Sequence, residues 1–104
     1  MAELDPVTLE ILNTQFAAAS EEMALTLKRC ARSLYVKEST DFGVALVALD
    51  GRLFATPRGY GSASFAHDCT TTIAAAGALE DGDVIITNHP YLSGGLVSHT
   101  PDLT

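Results

Sequence analysis

Phe42-Gly43-Val44-Ala45-Leu46-Val47-Ala48-Leu49-Asp50-Gly51-Arg52-Leu53-Phe54-Ala55 is the stretch on which the fold turns. Two apolar runs flank an Asp-Gly pair, the strongest short-range signal for a β-hairpin. Asp50 is therefore a turn residue first. The first run, Phe42 to Leu49, reads as an apolar strand with small residues between large ones. Upstream lies a long helical pattern, and downstream come a short helix and a further apolar strand. The chain thus reads as α+β: a long N-terminal amphipathic helix, a β-hairpin, a short helix and a further central strand, as part of a larger α/β assembly.

Asp5-Pro6 opens the first helix. Asp accepts orphan amide hydrogens at an N-cap, and Pro is tolerated at the first helical position. Leu9, Leu12, Phe16, Ala19, Met23, Leu27 and Cys30 then recur at three- and four-residue steps, predicting one apolar face. Glu21 and Glu22 precede Lys28, Arg29 and Arg32, a charge order that suits the helix dipole. The pattern predicts a helix ending between Arg32 and Tyr35. A polar turn, Lys37-Glu38-Ser39-Thr40-Asp41, leads into the hairpin. Asp41 sits where that turn enters the strand, a rigid mount for a ligand, although caps and turns use the same residue type.

After the hairpin, residues 57–64 read as an irregular loop carrying Gly59, Gly61 and small residues. The loop lacks GxxxxGK[ST] and GxGxxG, so neither phosphate-binding pattern is present. His67-Asp68-Cys69 are adjacent, and neighbours seldom converge on one ion or form a nucleophile–base pair. Asp68 is expected to cap a helix running from Cys69 to Ala78. Glu80-Asp81-Gly82-Asp83 is an acidic turn without the spacing of a calcium loop. Val84-Ile85-Ile86-Thr87 reads as the further central strand. It delivers the chain to Asn88-His89-Pro90-Tyr91, Gly94-Gly95 and His99-Thr100-Pro101-Asp102. Imidazole and carboxylate are ligands that a divalent metal selects, and Pro101 restrains the loop between His99 and Asp102. An ordinary surface loop has the same composition.

Of the 104 residues, 47% are hydrophobic and only 18% charged, which fits a chain packed against a larger partner or continued in a longer one. The net charge of -7 repels phosphate backbones, so nucleic acid is not an expected partner. The two cysteines, Cys30 and Cys69, form no CxxC and read as reduced thiols. The start lacks the basic and apolar segments of a secretory signal, and no run approaches a membrane span. The cytoplasm is the expected location, with no membrane partner.

These motifs occur together in an order that resembles the amino-terminal part of the hydantoinase B family. Asp5-Pro6-Val7-Thr8-Leu9-Glu10, Lys37-Glu38-Ser39-Thr40-Asp41-Phe42, Asp50-Gly51-Arg52-Leu53 and Gly82-Asp83-Val84 carry the likeness. Asn88-His89-Pro90-Tyr91, Gly94-Gly95 and His99-Thr100-Pro101-Asp102 complete it. The family includes B-type subunits of hydantoinases, the matching half of 5-oxoprolinases, and subunits of caprolactamase and acetone-type carboxylases. Where the family carries Asn-Asp-Pro-Tyr, this chain has His89. Extra residues separate Gly95 from His99, while the His99-to-Asp102 spacing is kept.

The resemblance implies that residues 1–104 are the amino-terminal portion of a B-type catalytic subunit, without an internal domain boundary. It implies one divalent metal ion (zinc, manganese or iron) held by Asp41, His99 and Asp102 with a further histidine beyond Thr104. His67 is implied as a catalytic residue that contacts substrate or moves a proton. The implied partner is an A-type ATPase subunit that binds ATP and phosphorylates the amide oxygen in a hetero-oligomer. The implied substrate is a small cyclic amide: a hydantoin, oxoproline or lactam. A carboxylase of the acetone or acetophenone type, or a non-catalytic structural fragment, are the other readings.

Overall fold

The computed structural model describes residues 3–59, 67–94 and 97. The elements run α1 (Pro6–Cys30), α2 (Leu34–Lys37), β1 (Leu46–Val47), β2 (Leu53–Ala55) and α3 (Thr70–Ala76). The two strands form a two-stranded sheet, so the arrangement is α+β as expected. The chain divides into two compact units: residues 1–46 with 54–66, and residues 47–53 with 67–104. No described helix is long and apolar enough to cross a membrane.

In the first unit, α1 starts where Asp5-Pro6 predicts. The Asp5 Oδ1 accepts the amide hydrogens of Val7 and Thr8, both at 3.0 Å, and Oδ2 accepts the Thr8 hydroxyl at 2.6 Å. The Thr8 hydroxyl, then its amide, holds the Asp5 carboxyl below the usual carboxylate range. The helix stops at Cys30, before the predicted Arg32–Tyr35 boundary. Ala31 and Ser33 are extended, and the short α2 follows.

The inner face of α1 is not the predicted apolar stripe. The buried positions are Ala17, Ser20 and Ala24. Leu9 is 56%, Phe16 41%, Met23 40% and Leu27 40% exposed. The buried residues recur at i, i+3 and i+7, a narrow helical face that lies beside the stripe of large side chains. Small side chains let neighbouring backbone approach closely, and the Ser20 hydroxyl is satisfied by the Ala17 carbonyl at 2.8 Å. Phe16, at the edge of the outer stripe, meets Phe54 edge to face at 5.1 Å. Ala55 is buried beside it in sequence. Arg58 donates its amide hydrogen to Glu21 Oε1 at 3.1 Å, tying the segment after β2 to the helix.

The second unit is built around the hairpin tip and α3. Asp50 is the turn residue expected: its Oδ1 accepts the Arg52 amide at 3.1 Å and its Oδ2 the Arg52 Nε at 2.9 Å. The Arg52 amide, more than its guanidinium, keeps the Asp50 carboxyl below the usual range. Gly51 has φ +90°, and a Cβ there would lie 2.6 Å from Cys69 C and Thr70 N. It is needed for its conformation and for the close approach. The Gly51 carbonyl accepts the Cys69 amide at 2.7 Å.

Three expectations for this unit are corrected. Asp68 does not cap α3: its Oδ1 accepts the Leu53 amide at 2.7 Å, and the cap position falls to Cys69, which makes no side-chain capping bond. The helix is also shorter than 69–78 because Gly77, at φ +82°, ends it. The further central strand at 84–87 is absent among the described residues. Val84 is 82% and Ile86 73% exposed. A strand exists only against a hydrogen-bonded neighbour, and the described residues offer that segment none. The acidic turn before it is a structural closure: Glu80 and Asp83 exchange hydrogen bonds, Asp83 N–H to the Glu80 carbonyl and Glu80 N–H to Asp83 Oδ2.

Candidate functional site

Asp41 lies in the first unit, in the turn between α2 and the hairpin. Its amide hydrogen bonds to the Tyr35 carbonyl at 2.9 Å, and Phe42 N–H closes back on the Thr40 carbonyl at 2.9 Å. That second bond spans only two residues, a γ-turn centred on Asp41. Thr40 before it has φ +52°, a left-handed conformation that a β-branched residue rarely adopts. The backbone at Asp41 is therefore held from both sides while its side chain faces solvent.

The other aspartates show what is distinctive here. Asp5, Asp50, Asp68 and Asp83 each use a carboxylate oxygen to hold a nearby backbone amide. Among the described residues the Asp41 carboxylate receives no such bond and forms no ion pair. Asp81, at the tip of the Glu80–Asp83 turn, is equally unspent. Sequence alone marks Asp41 only by its place beside the strand; the structure adds that its oxygens are not consumed by the turn.

His67 lies in the second unit, exposed, and its carbonyl receives a weak bond from the Cys69 thiol at 3.8 Å. Burial, and then the neighbouring Asp68 carboxylate, push the Cys69 thiol up. A thiol held protonated is a poor nucleophile, in line with the sequence reading of Cys69. Cys69 and Cys30 are both free. His99 and Asp102 lie outside the described residues. Among the described residues no three His, Cys, Asp or Glu side chains come together to hold a metal.

The second unit also carries the loop that leads towards His99. His89 Nδ1 accepts the amide hydrogens of Tyr91 at 3.2 Å and Leu92 at 3.1 Å. Its carbonyl accepts the Ser93 amide at 3.1 Å. The Ser93 hydroxyl bonds the Pro90 carbonyl and accepts the Val97 amide, both at 3.2 Å. Ser93 and Val97 are buried. Gly94, at φ +64°, approaches Thr71 so closely that a Cβ would sit 2.8 Å from Thr71 Oγ1. Sequence reasoning missed the structural task of His89. The signal was present in the His-Pro pair, which repeats the Asp5-Pro6 start of α1.

The hydantoinase B/oxoprolinase family model matches residues 5–104. The chain is 37% identical over 110 residues to 5-oxoprolinase PfmaA of Pestalotiopsis fici, covering 98% of this chain and 8% of that protein. It is 38% identical over 105 residues to 5-oxoprolinase 1 of Arabidopsis thaliana, covering 96% of this chain and 8% of that protein. A putative B-type subunit of a D-/L-hydantoinase from a Pseudomonas species is 30% identical over 116 residues, covering 99% of this chain and 18% of that protein. The chain therefore spans less than a fifth of the length of these relatives. No solved structure matches. The match runs from the Asp5 cap through the turn that carries Asp41 to the histidine loop, and with it the chain belongs to the hydantoinase B/oxoprolinase family.

Proposed function

We propose that this chain is the amino-terminal part of the catalytic B-type portion of an ATP-dependent cyclic amide hydrolase. Its substrate class is a hydantoin, oxoproline or lactam. The observation that carries the reading is a family match over residues 5–104, which takes in the turn that leaves the Asp41 carboxylate unspent. Relatives named as a 5-oxoprolinase and as a hydantoinase subunit favour ring-opening hydrolysis over carboxylation.

Asp41, His99 and Asp102 are the residues proposed to hold one divalent ion. Two carboxylates and an imidazole form a mixed oxygen and nitrogen donor set that suits zinc, manganese or iron. Asp41 fits that task because its backbone is fixed and its oxygens are not occupied by the turn. When bound, such an ion supplies a water activated for attack near neutral pH. His67, exposed on the approach to α3, is proposed to contact the substrate or move a proton at the ring nitrogen. A lactam carbonyl is resonance-stabilised and a poor electrophile. An A-type ATPase partner that phosphorylates the amide oxygen would turn it into a leaving group, and this chain carries no nucleotide-binding pattern of its own.

The test is the assembled enzyme with its A-type partner, given ATP and 5-oxoproline, a hydantoin or a simple lactam. Ring-opened product formed in step with ADP is expected for at least one substrate. Carboxylated product from a ketone, with no ring opening, would overturn the hydrolase reading.

A further inference from the structure

We propose that His89 is a positioning residue whose neutral imidazole does the work of a capping carboxylate, so that the turn after it is held only while Nδ1 is unprotonated. Two capped turns within this chain point to that role. At Asp5, one carboxylate oxygen accepts the amide hydrogens two and three residues on, each at 3.0 Å. The Asp5 carbonyl accepts the amide four residues on, from Leu9, at 3.0 Å. At His89, Nδ1 accepts the amides two and three residues on, at 3.2 and 3.1 Å. The His89 carbonyl accepts the amide four residues on, from Ser93, at 3.1 Å. A proline follows the capping residue in both cases, where its missing N–H costs nothing.

The chemistry of the acceptor differs between the two. A carboxylate offers lone pairs down to acid pH. An imidazole nitrogen offers one lone pair in the plane of the ring, and only when that nitrogen carries no proton. Both partners of Nδ1 are N–H donors, so the proton of the neutral ring resides on Nε2. Protonation at Nδ1 removes the acceptor and sets a third donor against two others. The titratable neighbour of the ring is Tyr91, edge-on at 5.9 Å. Among the described residues no carboxylate pairs with the imidazole to offset a positive charge. The Thr87 hydroxyl accepts the His89 amide at 3.1 Å and fixes the entry to the turn.

The consequence reaches beyond the turn. Ser93 and Val97 are buried behind it, and Gly94 rests against Thr71 of α3. Loosening the Tyr91 and Leu92 amides releases the segment that leads to Gly94 and onward in sequence to His99. This holds whether or not that stretch binds metal.

The experiment is nuclear magnetic resonance on the full chain at about pH 8 and about pH 5. Imidazole nitrogen shifts at pH 8 should show Nδ1 bare and Nε2 protonated. Amide exchange at Tyr91 and Leu92, corrected for intrinsic rates, should lose roughly fivefold protection at pH 5, the loss of one cap. The Val7 and Thr8 amides, capped by Asp5, should hold theirs and serve as the internal control. His89→Asp should keep Tyr91 and Leu92 protected at both pH values, and His89→Ala should show the reduced level of protection at both. A proton on Nδ1 at pH 8, pH-independent protection in the unmodified chain, or full protection in His89→Ala would each overturn the proposal.

Discussion

Gly51 shows how much a single residue can demand. Any side chain there meets the backbone of Cys69 and Thr70 at 2.6 Å while φ stays at +90°. Backbone cannot step aside as a side chain can, so strain and overpacking add. Gly51→Ala should cost about 2–4 kcal/mol of unfolding free energy, measured by urea denaturation. Asp41 makes the opposite demand. Its carboxylate holds nothing in the turn, so Asp41→Ala should change folding stability by no more than about 0.5 kcal/mol. In the assembled enzyme the same substitution should lower bound metal, read by elemental mass spectrometry, and activity together. His99→Ala and Asp102→Ala should behave alike in that assay. Near-stoichiometric metal with unchanged activity in all three would leave this region a structural loop.

At the scale of elements, α1 offers a direct contest between its two faces. Ala24 is fully buried on the small-residue face, whereas Met23 stands 40% exposed among the larger side chains. Ala24→Leu should cost about 1–3 kcal/mol by overpacking, and Met23→Gln at most about 1 kcal/mol. The reverse order would restore the large stripe as the core. The helix start carries a pH signature as well. The Asp5 carboxyl sits below its ordinary value of 3.8 in the folded chain because Thr8 bonds its charged form. Its contribution is therefore fully present above pH 3.8 and is lost as pH falls through the lower folded value. Amide exchange at Val7 and Thr8 should accelerate only below that point, and Asp5→Ala should remove the dependence. The turn at Asp50 follows the same sign, since the Arg52 amide lowers its carboxyl too.

For the whole molecule, the large exposed side chains are the telling feature. Leu9, Phe16, Met23 and Leu27 on α1, and Val84 and Ile86 after the acidic turn, remain open to solvent. The relatives are proteins of which this chain matches 8% to 18%. Supplied alone with ATP and a cyclic amide, the 104-residue chain should produce no ADP above a protein-free control. Co-expressed as the complete B-type subunit with its A-type ATPase, it should elute as one complex under light scattering. Two separate peaks at micromolar concentration would count against a stable assembly.

What the chain determined by itself is local. The Asp5-Pro6 start, the Asp50-Gly51 turn and the helical period of residues 6–30 each encode their structure within a few neighbouring residues. A short-range bond or a permitted φ is enough to specify them. The family motifs were legible for the same reason, as fixed residue types at fixed spacings. Tertiary structure decided the rest. Which face of α1 turns inward depends on what packs against it, and hydropathy ranked Leu9 and Met23 above Ala17 and Ala24, although the small residues are the buried ones. Asp68 bonds Leu53, fifteen residues away, instead of capping the helix beside it. Residues 84–87 have the composition of a strand, but the ladder needs a partner that composition cannot supply. His89 became a cap because the turn presented two amide hydrogens to one ring nitrogen, an arrangement that exists only once the chain has folded.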